Sequence, residues 1–149
     1  MRAMTRSEID AFLSEALIAR LATVRPDGRP HVVPVWFWWD GESLYLETGP
    51  DFVKVKNLRH NPACAVTIDM TEGGLRFKAV ILEGRAELLT KPQVVRDMVD
   101  CIYTKYLGRE GILAPIPTKM RESEHVIIRL VPERVLNWDD TDVFSRHGA

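Results

Sequence analysis

The chain has 149 residues, with 20 Lys and Arg against 21 Asp and Glu, and a formal charge of −1. Its 46% hydrophobic and 28% charged residues make an ordinary globular composition, able to bury a core without disulfides or metals and too apolar for a disordered chain. The balanced charge argues against a nucleic-acid coat or an acidic-membrane binder, and no apolar run approaches the roughly 20 residues of a membrane span. The length predicts a single domain over residues 1–149. The N-terminal stretch Met1 to Glu8 lacks the apolar segment of a secretory signal, and two cysteines, Cys64 and Cys101, read as reduced thiols. A cytoplasmic protein is expected.

Thr5 and Glu8 form a capping box, and Ile9, Phe12, Leu13, Ala16 and Leu17 follow at helical spacing, which predicts a helix over Arg6 to Leu17. Ile18 to Val24 reads as a strand, Arg25-Pro26-Asp27-Gly28 as a turn, and His31 to Trp39 as a second strand. Pro34 within that strand places it at an edge or a bulge. Asp40-Gly41 turns into a third strand, Leu44 to Thr48. Gly49-Pro50-Asp51 breaks it, with Asp51 as the expected N-cap of a short helix through Phe52, Val53, Val55 and Leu58 that Pro62 ends.

Ala63 to Asp69 and Leu75 to Leu89 are the next strands, and Gly84 marks a bulge or a close backbone approach. Pro92 opens a helix carrying Val94, Val95, Met98, Ile102 and Tyr106 on its apolar stripe, which Gly108 stops. Ile112 to Pro117 reads as a connector, His125 to Val131 and Arg134 to Trp138 as two last strands, and 139–149 as a flexible tail. The order predicts a mainly β protein, a six- to seven-stranded antiparallel barrel with flanking helices.

No nucleophile elbow, phosphate-binding loop, zinc-protease motif or dinucleotide fingerprint is present, and the four histidines are scattered, so no metal site is expected. The segment Leu44 to Pro62 stands out. From Val53 to Ile68 there is no acidic residue, and Lys54, Lys56, Arg59 and His60 follow a helix start, where free N–H groups and the helix dipole favour an anion. Thr48 and Lys54 are placed to reach such an anion; an ordinary solvated basic face is the other reading. Trp36-Phe37-Trp38-Trp39 is also unusual. Alternation sends Trp36 and Trp38 to one face and Phe37 and Trp39 to the other, so large aromatics are expected to meet a flat ligand or a second subunit.

From Thr5 to Trp138 the chain resembles the pyridoxamine 5′-phosphate oxidase-like split-barrel family of flavin-binding proteins. The resemblance rests on Ala19-Arg20-Leu21-Ala22-Thr23-Val24, Asp27-Gly28-Arg29-Pro30, Val33-Pro34-Val35-Trp36-Phe37, Leu44-Tyr45-Leu46-Glu47-Thr48-Gly49, Lys54 to Pro62 and Leu82-Glu83-Gly84-Arg85-Ala86-Glu87-Leu88, in that order and spacing. It implies a split-barrel homodimer with a cofactor at each interface and a small-molecule substrate. Val35, Trp36 and Phe37 would run along the flavin ring, and Leu46, Glu47 and Thr48 would line the ring and ribityl chain. Lys54 would hold the phosphate, with Lys56 and Arg59 in support. Lys78 and Trp138 would come from the partner subunit. Lys78 is either a cation at the flavin N1–C2 edge or a plain surface lysine.

The sequence departs from the family where an Arg or Ser often precedes the lysine: Pro50-Asp51-Phe52-Val53 stand there, and Asp51 opposes a phosphate unless it turns away to cap the helix. The leading expectation is an FMN-dependent oxidoreductase. One alternative is an F420-dependent reductase on the same fold. Another is a non-catalytic flavin- or haem-binding protein, with His31, His60 or His125 as possible haem ligands.

Overall fold

The computed structural model of the protein describes residues 2–73 and 76–141. Thr5 caps helix α1 (Arg6–Leu13): its hydroxyl accepts the Glu8 N–H at 3.2 Å, and the Glu8 carboxylate accepts the Thr5 N–H at 3.4 Å. The helix stops before the expected Leu17 because Ser14 turns its hydroxyl onto the Ala11 carbonyl, at 2.6 Å, a competitor to further helical bonding. Leu17 still packs on the core from the connecting segment.

Strands β1 (Ala19–Val24) and β2 (Pro30–Val35) form a hairpin, with Gly28 at φ 87° in its turn, a conformation open to glycine. The sequence predicts that β2 continues to Trp39. Instead it ends at Val35, and a separate strand β3 (Phe37–Trp39) begins after Trp36. Then come β4 (Leu44–Thr48), α2 (Val53–His60), β5 (Ala63–Glu72) and β6 (Arg76–Leu89), followed by α3 (Pro92–Gly111), α4 (Pro115–Glu122) and β7 (Val126–Asp139). All pairings are antiparallel, in one seven-stranded sheet of order β2-β1-β5-β6-β7-β4-β3. Its two edge strands are therefore neighbours in the chain, separated only by Trp36. The sheet has to curl until its edges meet there, which makes the barrel. Pro34 lies on an edge strand, where its missing N–H breaks no ladder bond.

The two last predicted strands are one. β7 runs through with a register shift in which Glu83 faces Arg134 and Gly84 faces Pro132. A Cβ on Gly84 would lie 2.6 Å from the Val131 carbonyl oxygen, so the close approach expected there is real. Gly108, at φ 77°, kinks α3 and the helix resumes to Gly111. The predicted connector Ile112–Pro117 runs into α4, whose Pro115 sits in the first turn, where a proline costs no hydrogen bond. Of the predicted tail, Asp139 closes β7 as a buried carboxylate held by Arg2 at 2.8 Å, Asp140 is buried too, and 142–149 lie outside the described residues. Among the described residues no helix is long and apolar enough to cross a membrane.

Inside the barrel Phe37, Leu44, Leu46, Ile68, Leu82 and Leu130 are fully buried with Phe12 and Leu13 of α1. A second apolar layer lies outside, where α3 packs Val95, Val99, Ile102 and Tyr103 against Ile127. Trp36 and Trp38 belong to this layer, so the expected uncovered aromatic face is in large part covered by α3 of the same chain. The Trp36 ring stacks on Tyr106 at 4.6 Å with 3° between planes. The edge-to-edge crossing is pinned from α3. The Phe37 N–H donates to the Tyr106 hydroxyl at 3.2 Å, that hydroxyl donates to the Leu17 carbonyl, and the Lys105 ammonium donates to the Leu13 and Phe37 carbonyls at 3.2 Å each. Lys105 has an ordinary value of 10.5, and burial, with no acidic partner among the described residues, pushes it down to about 8.

Two outcomes are expected. Gly84→Ala loses about 1–3 kcal/mol in urea unfolding, because its methyl group meets backbone that cannot yield. Between about pH 8 and 10.5 the unfolded chain holds the Lys105 proton more tightly than the folded one, so wild-type stability rises with pH across that window. Lys105→Met flattens that rise in urea midpoints.

Candidate functional site

β2 ends, β4 ends and α2 begins at the same place, and α3 and the residues after α4 close over it. The seam is a cleft of about 660 Å³. Five of the residues singled out by sequence meet in its wall: Val35 and Trp36 from the strand crossing, Glu47 and Thr48 from the end of β4, and Lys54 from the first turn of α2.

Of the others, His125 also lines the cleft, and the rest lie elsewhere. Phe37 and Leu46 face each other across the β3–β4 pair, and strand alternation turns both into the barrel interior, fully buried. They belong to the core and not to the cleft wall. Lys56 and Arg59 are exposed on α2 outside the cleft. Lys78 and Trp138 sit on β6 and β7, where the Lys78 ammonium lies 3.9 Å from the Asp139 carboxylate and Trp138 meets Phe77 edge-on at 6.1 Å. Neither lines the cleft of its own chain. His31, His60 and His125 lie on β2, in the last turn of α2 and just before β7, apart from one another.

The start of α2 takes a form the sequence did not predict. Asp51 is exposed and is not the cap of α2; Phe52 holds that position and offers no side-chain hydrogen bond. The first N–H groups of the helix are thus left without a side-chain acceptor, and the carboxylate feared as an opponent of an anion does not occupy the helix end. Lys54, in the first turn, is buried, with its ammonium 4.6 Å over the Phe52 ring, and it makes no ion pair among the described residues. Burial lowers its value, and Glu47 opposes the shift.

Glu47 stands at the centre of the charge arrangement. Its carboxylate is 3.4 Å from Nε2 of His125, and the two side chains are 17% and 7% exposed. Burial pushes the Glu47 carboxyl above its ordinary range, against the pull of His125 and Lys54. Tyr103 of α3 packs edge-on to His125 at 6.3 Å, and burial with the Glu47 charge pushes its phenol up to about 12. Burial lowers His31, aided by Arg25 and Lys54, and its buried Nδ1 has no hydrogen-bond partner.

Sequence reasoning missed Tyr103, Met120, Ser123 and Glu124 as cleft residues and saw His125 only as a lone histidine. No spacing links them to Glu47. They arrive because α3 and α4 are folded over the end of β4, and Thr48 pairs with Val126 in the ladder.

The residues present suit a flat, anionic cofactor. A buried ammonium with no ion pair among the described residues, at a helix start without a side-chain cap, can take a phosphate, and Trp36 and Val35 give the cleft an apolar wall.

The family described as Pyridoxamine 5′-phosphate oxidase matches residues 5–139. An F420H(2)-dependent biliverdin reductase of Mycobacterium tuberculosis is 33% identical over 133 residues, 87% of this chain and 85% of that protein. A shorter match, 30% identical over 93 residues, covers 62% of this chain and 60% of the length of an uncharacterised Rhizobium meliloti protein. Among solved structures, a conserved hypothetical protein of M. tuberculosis superposes with a TM-score of 0.82 at 27% identity, over 96% of this chain and 89% of that one. An F420 reductase superposes with a TM-score of 0.67 at 30% identity, over 85% of this chain and 94% of that one.

The charge arrangement gives a direct check. Because His125 holds the Glu47 carboxyl down against burial, His125→Gln raises the Glu47 midpoint further. A carbon-13 titration of the Glu47 carboxyl measures it.

Proposed function

The chain belongs to the pyridoxamine 5′-phosphate oxidase family, and from that premise we propose that it is a cytoplasmic reductase that uses reduced F420 on a small conjugated substrate. The observation that carries this reading is the buried Lys54 ammonium at the uncapped start of α2, unpaired among the described residues and facing a cleft walled by Trp36. A phosphate placed there meets Lys54, the first N–H groups of α2 and the Thr48 hydroxyl together. Val35 and Trp36 would bear the flat ring. The exposed Lys56 and Arg59 continue the positive charge along α2 and would meet the anionic tail that distinguishes F420.

The 33% identical relative named for F420H(2) and the 30% identical F420 reductase support F420 ahead of the FMN expected from sequence. FMN is the second reading, favoured by the compactness of the anion site, since one lysine and one helix start suit a single terminal phosphate. When bound, either cofactor in its reduced form supplies the hydride, and the chain's residues orient it and exclude water. In a homodimer, Lys78 and Trp138 would reach the cleft of the second copy.

The test is a fluorescence titration with F420 and with FMN, followed by oxidation of F420H2 with biliverdin as the first acceptor tried. F420 binding with turnover supports the reading; tight FMN with no F420 uptake transfers it to FMN. Binding without turnover makes the protein a carrier, and uptake of neither rejects both readings. Lys54→Ala is expected to weaken cofactor binding about ten- to hundred-fold, about 1.5–3 kcal/mol for a charge-assisted contact.

A further inference from the structure

We propose that Glu47 and His125 form the proton-delivery pair of this cleft, handing one proton to the substrate as it takes up the hydride; this rests on the reductase reading above. Reduction of a polar double bond needs both. The hydride carries the electron pair to one end, the other end takes a proton, and no further oxidant or reductant enters. Glu47 Oε2 lies 3.4 Å from His125 Nε2, and the proton transferred is the one that the pair carries in its acid form. The pair is left as a carboxylate and a neutral imidazole, and water restores the proton through the open side of the cleft by the exposed Ser123 and Glu124.

Three observations carry the assignment. Both side chains line the cleft while almost withdrawn from solvent, 17% and 7% exposed, a setting in which a titratable pair is tuned by its neighbours. The pair is also unnecessary as a fastener, because the β4–β7 ladder already joins Thr48 to Val126 and Glu47 to Ile127. A buried ion pair is seldom a net gain over apolar packing. Finally, alternation along β4 puts Glu47 on the same face as Tyr45, which packs into the apolar layer under α3. A carboxylate in that layer costs desolvation that no structural demand explains.

The groups facing the pair are few. α2 presents Lys54, whose charge favours ionised Glu47; α3 presents the Tyr103 ring; Glu124 adjoins His125 in the chain and lines the cleft. Tyr103, pushed up to about 12, keeps its proton at neutral pH and does not compete as donor.

Glu47→Gln keeps the size of the side chain and removes the titratable carboxyl, and His125→Gln removes the other half. For wild type and both variants the measurements are F420 affinity by fluorescence, thermal midpoint, and kcat against pH for F420H2 with biliverdin. The expected result is F420 affinity within about three-fold of wild type, unchanged or higher thermal midpoints, and kcat lower by about a hundred-fold or more. The wild-type loss of kcat toward alkaline pH is expected to be absent from both variants.

Either folded variant with kcat within three-fold of wild type and an unaltered pH profile overturns the proposal. So does a drop in affinity that accounts for the whole loss of rate. If one variant fails to fold, the other decides. A wild-type protein that binds F420 and turns over while the variants match it fails this inference alone. One that binds no F420, or binds it without turnover, fails the reductase reading and this proposal with it.

Discussion

The architecture depends on a crossing one residue long. β2 and β3 are opposite edges of a seven-stranded sheet, and only Trp36 separates them in the chain. A single residue spans at most about 3.6 Å, so the edges have to lie together and the sheet has to close on itself. The crossing is also where backbone groups leave the ladder. Phe37 finds its partners in the Tyr106 hydroxyl and the Lys105 ammonium, both from α3, and Trp36 lies flat on Tyr106. Helix α3 is therefore part of the closure, and burial holds the lysine it commits there below its ordinary value.

The cleft follows from that closure. The end of β2 comes to lie against the end of β4, from which Gly49 and Pro50 lead the chain into α2. Most of the chemically active groups in the wall sit at an element end or just beyond it: Trp36 at the crossing, Glu47 and Thr48 at the end of β4, Lys54 in the first turn of α2, His125 before β7. Element ends leave backbone groups free and side chains uncrowded by a neighbouring strand, and that is what ligand binding needs. The charges there are few and mutually dependent. Glu47 lies between the Lys54 ammonium and a histidine, beside an apolar layer that includes Tyr45, Tyr103 and Trp36.

The covering of Trp36 and Trp38 shows where pattern and packing part. A run of three tryptophans around Phe37 reads as more aromatic surface than one chain can hide, yet α3 supplies Tyr103 and Tyr106 to face it. Tyr106 stood out in the helix as one member of an apolar stripe; its hydroxyl and its stacking partner are invisible to periodicity. Asp51 shows the converse. It is a favoured N-cap residue standing before a helix, but the turn at Pro50 carries the chain one residue further before the helix begins.

The sequence by itself determined most of the elements and the basic start of α2. Alternating apolar strands, the capping box at Thr5, the close approach at Gly84 and the basic start of α2 are local, and local energetics are written in neighbouring residues. The family was legible for the same reason, since its short segments keep their order from Thr5 to Trp138. Tertiary structure alone decided which side of each strand becomes cleft and which becomes core, sending Phe37 and Leu46 inward and Trp36 and Glu47 outward. It alone brought His125 to Glu47, which lies 78 positions earlier in the chain. Contacts of that separation are set by the closure of the whole sheet, and no spacing in the chain encodes them.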